Sequence, residues 1–323
     1  MAIDLLGRVK TGLAERYAVE REVGRGAMAT VFLAHDVKHE RPVALKVLRP
    51  ELAINLGAER FLREIKLIAQ LQHPHILPLF DSGECGGLLY YVSPYVGSEN
   101  LRDRMHRDRQ MPLEDAIRLV REVADGLAYA HQHGIVHRDI KPENILLLDD
   151  HSVIADFGIA RAIRMSGGHR LSEPGISIGT PTYMSPEQAG GDILLDGRSD
   201  IYSLGCVLYE TLIGVPPFVG TSERQIIAGH FTAPPPLASK ERPGLPEVLD
   251  AIIGKALAKN PGDRYQSADD FGKALEMRVD ARPSPGAGAE PTGVLSRQTL
   301  GAIIVALLIL VIAMAVVVFR LNG

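Results

Sequence analysis

Three stretches of the chain carry residue types whose spacing could do chemistry. The first is Val23-Gly24-Arg25-Gly26-Ala27-Met28-Ala29-Thr30-Val31. Its two glycines let the backbone come close to phosphate oxygens and turn N–H groups toward them, although glycine pairs in hairpins also serve as plain turns. The second is Val43-Ala44-Leu45-Lys46-Val47, an apolar run with one lysine inside it. An ammonium taken out of water is costly without a partner, so Lys46 either faces solvent on an edge or meets an acid and a phosphate. Glu64, eighteen residues on, is the candidate acid, or else one of several glutamates on a helix surface. The third is His137-Arg138-Asp139-Ile140-Lys141-Pro142-Glu143-Asn144, with Asp156-Phe157-Gly158 beginning twelve residues beyond Asn144.

Random occurrence does not explain these strings in this order, and on them the sequence resembles the protein kinase family. The similarity runs from about Tyr17 to Val279, and Lys141 two residues after Asp139 resembles the serine/threonine branch, as in bacterial kinases of eukaryotic type. The resemblance implies ATP and Mg2+, with Mn2+ as the alternative metal, and it implies roles residue by residue. Lys46, held by Glu64, would grip the α- and β-phosphates. Asn144 and Asp156 would ligate the metal, Asp139 would orient the substrate hydroxyl, and Lys141 would add positive charge near the γ-phosphate. The loop from Val23 to Val31 would cover the phosphates, while Val31, Ala44, Leu146, Val96 and the carbonyl of Pro94 would enclose the adenine. Ala29 replaces the third glycine of the family's loop, and Ser93 stands where a larger side chain usually closes the pocket behind the adenine. Such a small residue implies acceptance of bulky N6-substituted ATP analogues.

Further elements follow the same likeness. Ser185-Pro186-Glu187 stands in place of the family's A-P-E, with Arg264 as the ion partner of Glu187 and Asp200 as the brace of the catalytic loop. Ile68, Leu79, His137 and Phe157 match the apolar stack that aligns the lobes. Ser166, Ser172, Ser177, Thr180 and Thr182 lie in the implied activation segment. Ser172 is expected to be the main autophosphorylation site, with Arg138 to receive a phosphate. The implied partners are protein substrates with serine or threonine acceptors, and a homodimer for phosphorylation in trans. Glu143 hints at basic residues near the target hydroxyl. A pseudokinase scaffold is the alternative function, opposed by the presence of Lys46, Glu64, Asp139, Asn144 and Asp156.

Composition narrows the classes. The 323 residues carry 35 basic and 39 acidic side chains, a formal charge of −4, which disfavours a nucleic-acid binder. Two distant cysteines, Cys85 and Cys206, form neither a disulfide framework nor a zinc pattern. From Leu300 to Phe319 the chain runs without a charge, amide or proline, long enough as a helix to cross a bilayer. The N-terminus carries Asp4 and no long apolar core, so it is not expected to drive secretion, and the bulk of the chain is expected in the cytoplasm. Four residues follow the run here, so no external sensor is expected in this sequence.

These residues need elements to position them. Apolar alternation predicts three antiparallel strands in 17–50, a helix over 58–71, and strands at 76–80 and 88–92. Beyond Gly97 helical periods dominate: one opens at Pro112 and stops at Gly134, and others cover 199–213, 246–258 and 267–279, the last with Ser267 and Asp270 as a capping box. The expectation is an α+β bilobal kinase fold, an antiparallel-sheet lobe with one main helix (17–96) and a helical lobe (97–280). Around it come an N-terminal extension (1–16), a Pro/Gly/Ala-rich linker (281–298), a transmembrane helix (299–319) and a short tail (320–323).

Overall fold

The computed structural model describes residues 5–26, 28–50, 53, 58–97, 99–149, 151–157, 181–192 and 194–279. Ala27, Gly158, Ser166, Ser172, Ser177 and Thr180, with the expected linker, transmembrane helix and tail, lie outside the described residues.

Strands β1 (Tyr17–Arg25), β2 (Ala29–Asp36), β3 (Arg41–Leu48), β4 (Asp81–Cys85) and β5 (Leu88–Pro94) form one antiparallel sheet in the order β1-β2-β3-β5-β4. Successive side chains of a strand point to opposite faces. Phe32, Ala34, Val43, Leu45, Val47, Tyr90 and Val92 therefore share the outer face, where they pack with Val9 and Leu13 of helix α1 (Leu5–Leu13). The expected N-terminal extension thus contains a helix that belongs to the core of this lobe. On the inner face Leu48, Leu89 and Tyr91 pack against Phe61 and Ile65 of helix α2 (Ala58–Ile68), which ends three residues before the predicted Leu71.

The strand expected at 76–80 is displaced to Asp81–Cys85. Ile76 makes a single parallel bridge to Ile154, the Leu77 N–H donates to the Ile154 carbonyl at 2.9 Å, and the Phe80 N–H reaches Val92 O at 2.8 Å. The segment thus runs from the larger lobe up to the sheet, and Pro78, with no N–H, cannot continue a ladder.

The larger lobe contains α3 (Leu101–Asp108), α4 (Leu113–Gln132), the hairpin β6 (Ile145–Leu148) and β7 (His151–Ile154), α5 (Pro186–Ala189), α6 (Gly197–Ile213), α7 (Glu223–Thr232), α8 (Ala238–Glu241), α9 (Val248–Ala256) and α10 (Ala268–Val279). Every residue from Ser199 to Ile213 is buried, so α6 is the axis around which the lobe is packed. It ends at Gly214, whose φ of 92° is a left-handed cap, and a Cβ there would meet the Arg109 carbonyl at 2.9 Å. Ser267 caps α10 by accepting the Asp270 N–H at 3.0 Å. Helix α3 carries no apolar period in the sequence, since six of its eight residues are charged or histidine and only Leu101 and Met105 are buried.

Candidate active site

Asp200, on the buried helix α6, organises the loop that carries Asp139. Its Oδ1 accepts the Arg138 N–H at 2.7 Å, and its Oδ2 accepts the His137 N–H and His131 Nε2–H, both at 2.8 Å. Burial would raise the Asp200 carboxyl, but the hydrogen bond and charge of His131, with His137 and the Arg138 N–H, outweigh it and hold the group below its ordinary value. Arg138 is thereby kept at φ 69°, a conformation that a non-glycine residue rarely adopts. The His137 ring is fixed from both sides, its Nε2–H donating to Ala155 O at 2.9 Å and its Nδ1 accepting the Asp139 N–H at 3.2 Å. It meets the Phe157 ring edge-on at 4.7 Å.

Asp139 Oδ2 accepts from Lys141 Nζ at 2.7 Å and from Asn144 Nδ2 at 3.1 Å, and Asn144 Nδ2 also reaches the Asp139 carbonyl at 2.8 Å. The Asp139 side chain is 27% exposed, so this oriented carboxylate is open to an incoming group. The Ala155 N–H donates to the Asn144 carbonyl at 2.9 Å, which ties the loop to the stretch bearing Asp156.

Across the cleft, Lys46 Nζ is ion-paired with Asp156 Oδ1, to which the Tyr91 hydroxyl also donates at 3.0 Å. Burial would raise the Asp156 carboxyl; the Lys46 charge and the bonds from Lys46 and Tyr91 outweigh it and lower the group. Burial first, then the Asp156 charge, pushes the Tyr91 phenol well up, so it is a donor. Asp156 sits at φ 64°, a backbone state that aspartate tolerates better than most residues. Among the described residues the expected ion pair of Lys46 with Glu64 is not formed. Glu64 instead borders a cavity with Ile68, Leu71 and the segment His133–Val136. Sequence reasoning passed over Tyr91. The signal that finds it is the β3–β5 register, which sets Lys46 opposite Tyr91 and Ala44 opposite Ser93.

The same register brings together the residues expected to enclose a nucleotide. Val31 is opposite Lys46 on the next strand, so Val31, Ala44, Lys46, Tyr91 and Ser93 share one sheet face. Ser93 is 5% exposed, and its Oγ has no hydrogen-bond partner among the described residues. Leu146 is bridged to Asn100 and Leu147 N–H to Glu99 O at 2.9 Å, which brings β6 beside the chain leaving Pro94 and Val96. Gly24 and Arg25 pair with Val31 and Thr30, and the Gly26 N–H closes on Ala29 O at 2.9 Å, so the glycine stretch is a β1–β2 hairpin. Val23 lies within β1. Met28 turns inward against the cluster of Phe61 and Ile65.

For a cation, the donor chemistry is oxygen only. Asn144 commits its Nδ2 to Asp139, which leaves the amide Oδ1, and Asp156 Oδ2 has no partner among the described residues. Among those residues no cage of three His, Cys, Asp or Glu exists. Two such oxygen donors suit Mg2+, which binds through one or two protein oxygens and keeps the rest of its shell for water and ligand oxygens.

Two further anchors lie in the larger lobe. Glu187 on α5 takes Arg264 Nη1 and Nη2 at 2.7 Å each, and Arg264 donates its remaining N–H groups to the carbonyls of Ala258, Arg198 and Lys259 at 2.7–3.0 Å. All five guanidinium donors are satisfied, which is why a 2% exposed arginine is tolerated. Gln188 on the same turn donates to the Arg138 carbonyl at 2.9 Å. The second anchor is Arg102, paired with Glu143 at 3.0 Å and with Glu210 at 2.8 Å, and bonded to the Tyr183 hydroxyl. The negative charge of Glu143 is therefore met from within the chain, which weakens the hint of a basic substrate residue. Thr182 is described and sits in the short helical turn Pro181–Tyr183.

The comparisons agree with this geometry. Residues 17–274 match the protein kinase domain. Over 274 residues the chain is 44% identical to the serine/threonine-protein kinase PknB of Mycobacterium leprae, covering 83% of this chain and 43% of that protein. The PknB of Mycobacterium tuberculosis is also 44% identical, with 83% and 42% covered. PknJ of Mycobacterium bovis, a serine/threonine-protein kinase, is 40% identical over 266 residues, 80% of this chain and 44% of that one. The chain thus spans less than half the length of these curated relatives. With a domain match over most of the sequence and the buried braces described above, this chain belongs to the protein kinase family, among the bacterial kinases of eukaryotic type.

Proposed function

We propose that the chain is an active serine/threonine protein kinase that transfers the γ-phosphoryl group of ATP, with Mg2+, to protein hydroxyls, including Ser172 of another copy. The observation that carries this is two sets of direct contacts, Lys46 with Asp156, and Lys141 and Asn144 with Asp139, tied together by the Ala155 N–H donating to the Asn144 carbonyl. Phosphoryl transfer asks the protein for position and charge more than for covalent chemistry.

Each group has one task. Asp139, aimed by Lys141 and Asn144, accepts the hydrogen bond of the acceptor hydroxyl and points its oxygen at the γ-phosphorus. The new P–O bond forms as the bond to the β–γ bridging oxygen breaks; the hydroxyl proton passes to the carboxylate, and ADP leaves. Lys46 exchanges its contact with Asp156 for the α- and β-phosphate oxygens. Glu64 receives the Lys46 ammonium if α2 turns toward the sheet. Asp156 and Asn144 would hold Mg2+, which would supply positive charge against the phosphates. Val31, Ala44 and Leu146 exclude water from the adenine, whose amino group bonds the Pro94 carbonyl.

Membrane attachment rests on the uncharged run 300–319, which has the length and composition of a bilayer span. The catalytic lobes would then stand beside the membrane, and confinement to a surface raises the local concentration for phosphorylation in trans.

The test is transfer of γ-phosphate to a generic basic protein. Wild type should phosphorylate it and Asp139→Asn should not; equal signals from both, or none from wild type, favour the scaffold. Mass spectrometry of the active enzyme should find phosphate on Ser172, and phosphate only elsewhere would remove that assignment. Fractionation of cells should place the chain in membranes and a version lacking 299–323 in the supernatant.

A further inference from the structure

We infer that Tyr91 is a positioning residue that aims the Asp156 carboxylate at a divalent cation, an inference that rests on the kinase function proposed above. Tyr91 is the β5 residue directly opposite Lys46, so the two side chains leave the same face of the sheet as neighbours about 5 Å apart at Cβ. The ring is buried with Phe61 and Ile65 of α2, only 5% of the residue being exposed, yet its hydroxyl lies 3.0 Å from Asp156 Oδ1. Lys46 Nζ holds that same oxygen and stands 5.7 Å from the Tyr91 ring centroid, within cation–π range.

Two anchors on one carboxylate oxygen fix its rotation and leave Oδ2 for the cation. They are not equivalent once a nucleotide arrives. Lys46 is a flexible chain whose ammonium is wanted by the phosphates, and when it moves to them Asp156 loses that contact. Tyr91 has no such competing task. Its ring is clamped in an apolar cluster, so its hydroxyl stays where it is and continues to donate a charge-assisted hydrogen bond to Oδ1. The tyrosine thereby preserves the metal-binding orientation at the step when the lysine abandons it. Ser93, two residues further on the same face, is too short to supply this contact.

The experiment measures binding of a fluorescent ADP to the full chain while Mg2+ is varied, for wild type, Tyr91→Phe and Tyr91→Leu. Both variants lack the hydroxyl, and the first keeps the ring. Each should need about threefold more Mg2+ or higher for half-saturation, with metal-free nucleotide affinity unchanged and melting temperature near wild type for Tyr91→Phe. In an Asp156→Asn background the extra effect of Tyr91→Phe should vanish. A Mg2+ requirement equal to wild type in Tyr91→Phe overturns the inference, and so does a shift seen in Tyr91→Leu alone, which would assign it to packing. Loss of metal-free and metal-dependent binding together would also overturn it. These outcomes leave the kinase function standing; a wild type that binds no nucleotide at any Mg2+ concentration overturns both.

Discussion

Asp200→Asn tests the idea that α6 holds the catalytic loop in a strained but productive shape. Asparagine matches aspartate in size, but one of its two terminal positions is a donor. If that donor faces Arg138 N–H, the 2.7 Å bond is lost; if it faces the other side, the bonds of His137 and His131 are lost. The smaller loss is one hydrogen bond to a charged acceptor and a buried N–H left without a partner, together about 2–4 kcal/mol. At roughly 2–4 °C per kcal/mol for a domain of this size, the melting temperature should fall by about 4–16 °C. Arg138, no longer tethered, would leave its left-handed conformation, which itself costs about 1–3 kcal/mol to maintain. Asp139 is the next residue, and a displacement near 1 Å is enough to lower kcat by about 100-fold. The KM for ATP should stay within about threefold, because Lys46, Ala44 and Val31 are on strands that Asp200 does not touch. The assays are calorimetry and steady-state phosphorylation of a basic protein at varied ATP. A variant with wild-type kcat would refute the brace, even if it melted lower.

Two other outcomes follow from the site. The Glu187 carboxyl is held below its ordinary 4.5, because the Arg264 and Ser199 hydrogen bonds outweigh the effect of burial. The native state then binds fewer protons than the unfolded one just under that value, so the stabilisation is complete above about pH 4.5 and is lost as pH falls through the native value. Glu187→Gln should cost about 3–5 kcal/mol at pH 7, and its gap in melting temperature from wild type should narrow below pH 4.5; a gap constant down to pH 3.5 would contradict the assignment. Ser93→Met should lower use of bulky N6-substituted ATP by about tenfold or more while leaving ATP itself nearly unaffected, since the longer side chain would fill space beside Ala44. Unchanged analogue use would mean that Ser93 does not face the adenine.

The legible part of this site was the part written in short strings. Asp139, Lys141 and Asn144 act within one turn of chain, so their offsets carry the geometry, and Asp200, Glu187 and Arg264 could be placed beside them by likeness. What escaped depends on which strands and helices come together. Tyr91 acquires its contact only through the register of β3 with β5. The choice of Lys46 between Glu64 and Asp156 depends on the rotation and distance of α2, which no local pattern encodes. Glu143 reads as a free acid until α3, a helix with no visible apolar period, delivers Arg102 to it. The strand at 81–85 was misplaced because the apolar residues Ile76, Leu77 and Leu79 serve a crossing between lobes instead of a ladder.

Helix α1 changes where this kinase can be cut. The stretch that matches the family starts at residue 17, beyond the helix, yet Val9 is 1% and Leu13 7% exposed against the outer sheet face. A protein trimmed at that boundary would bare a greasy strip along Tyr17 and Val19 of β1 and Cys85 of β4, the kind of surface through which copies stick to one another. Any clustering measured on such a shortened protein would report the missing lid and say nothing about how whole molecules meet.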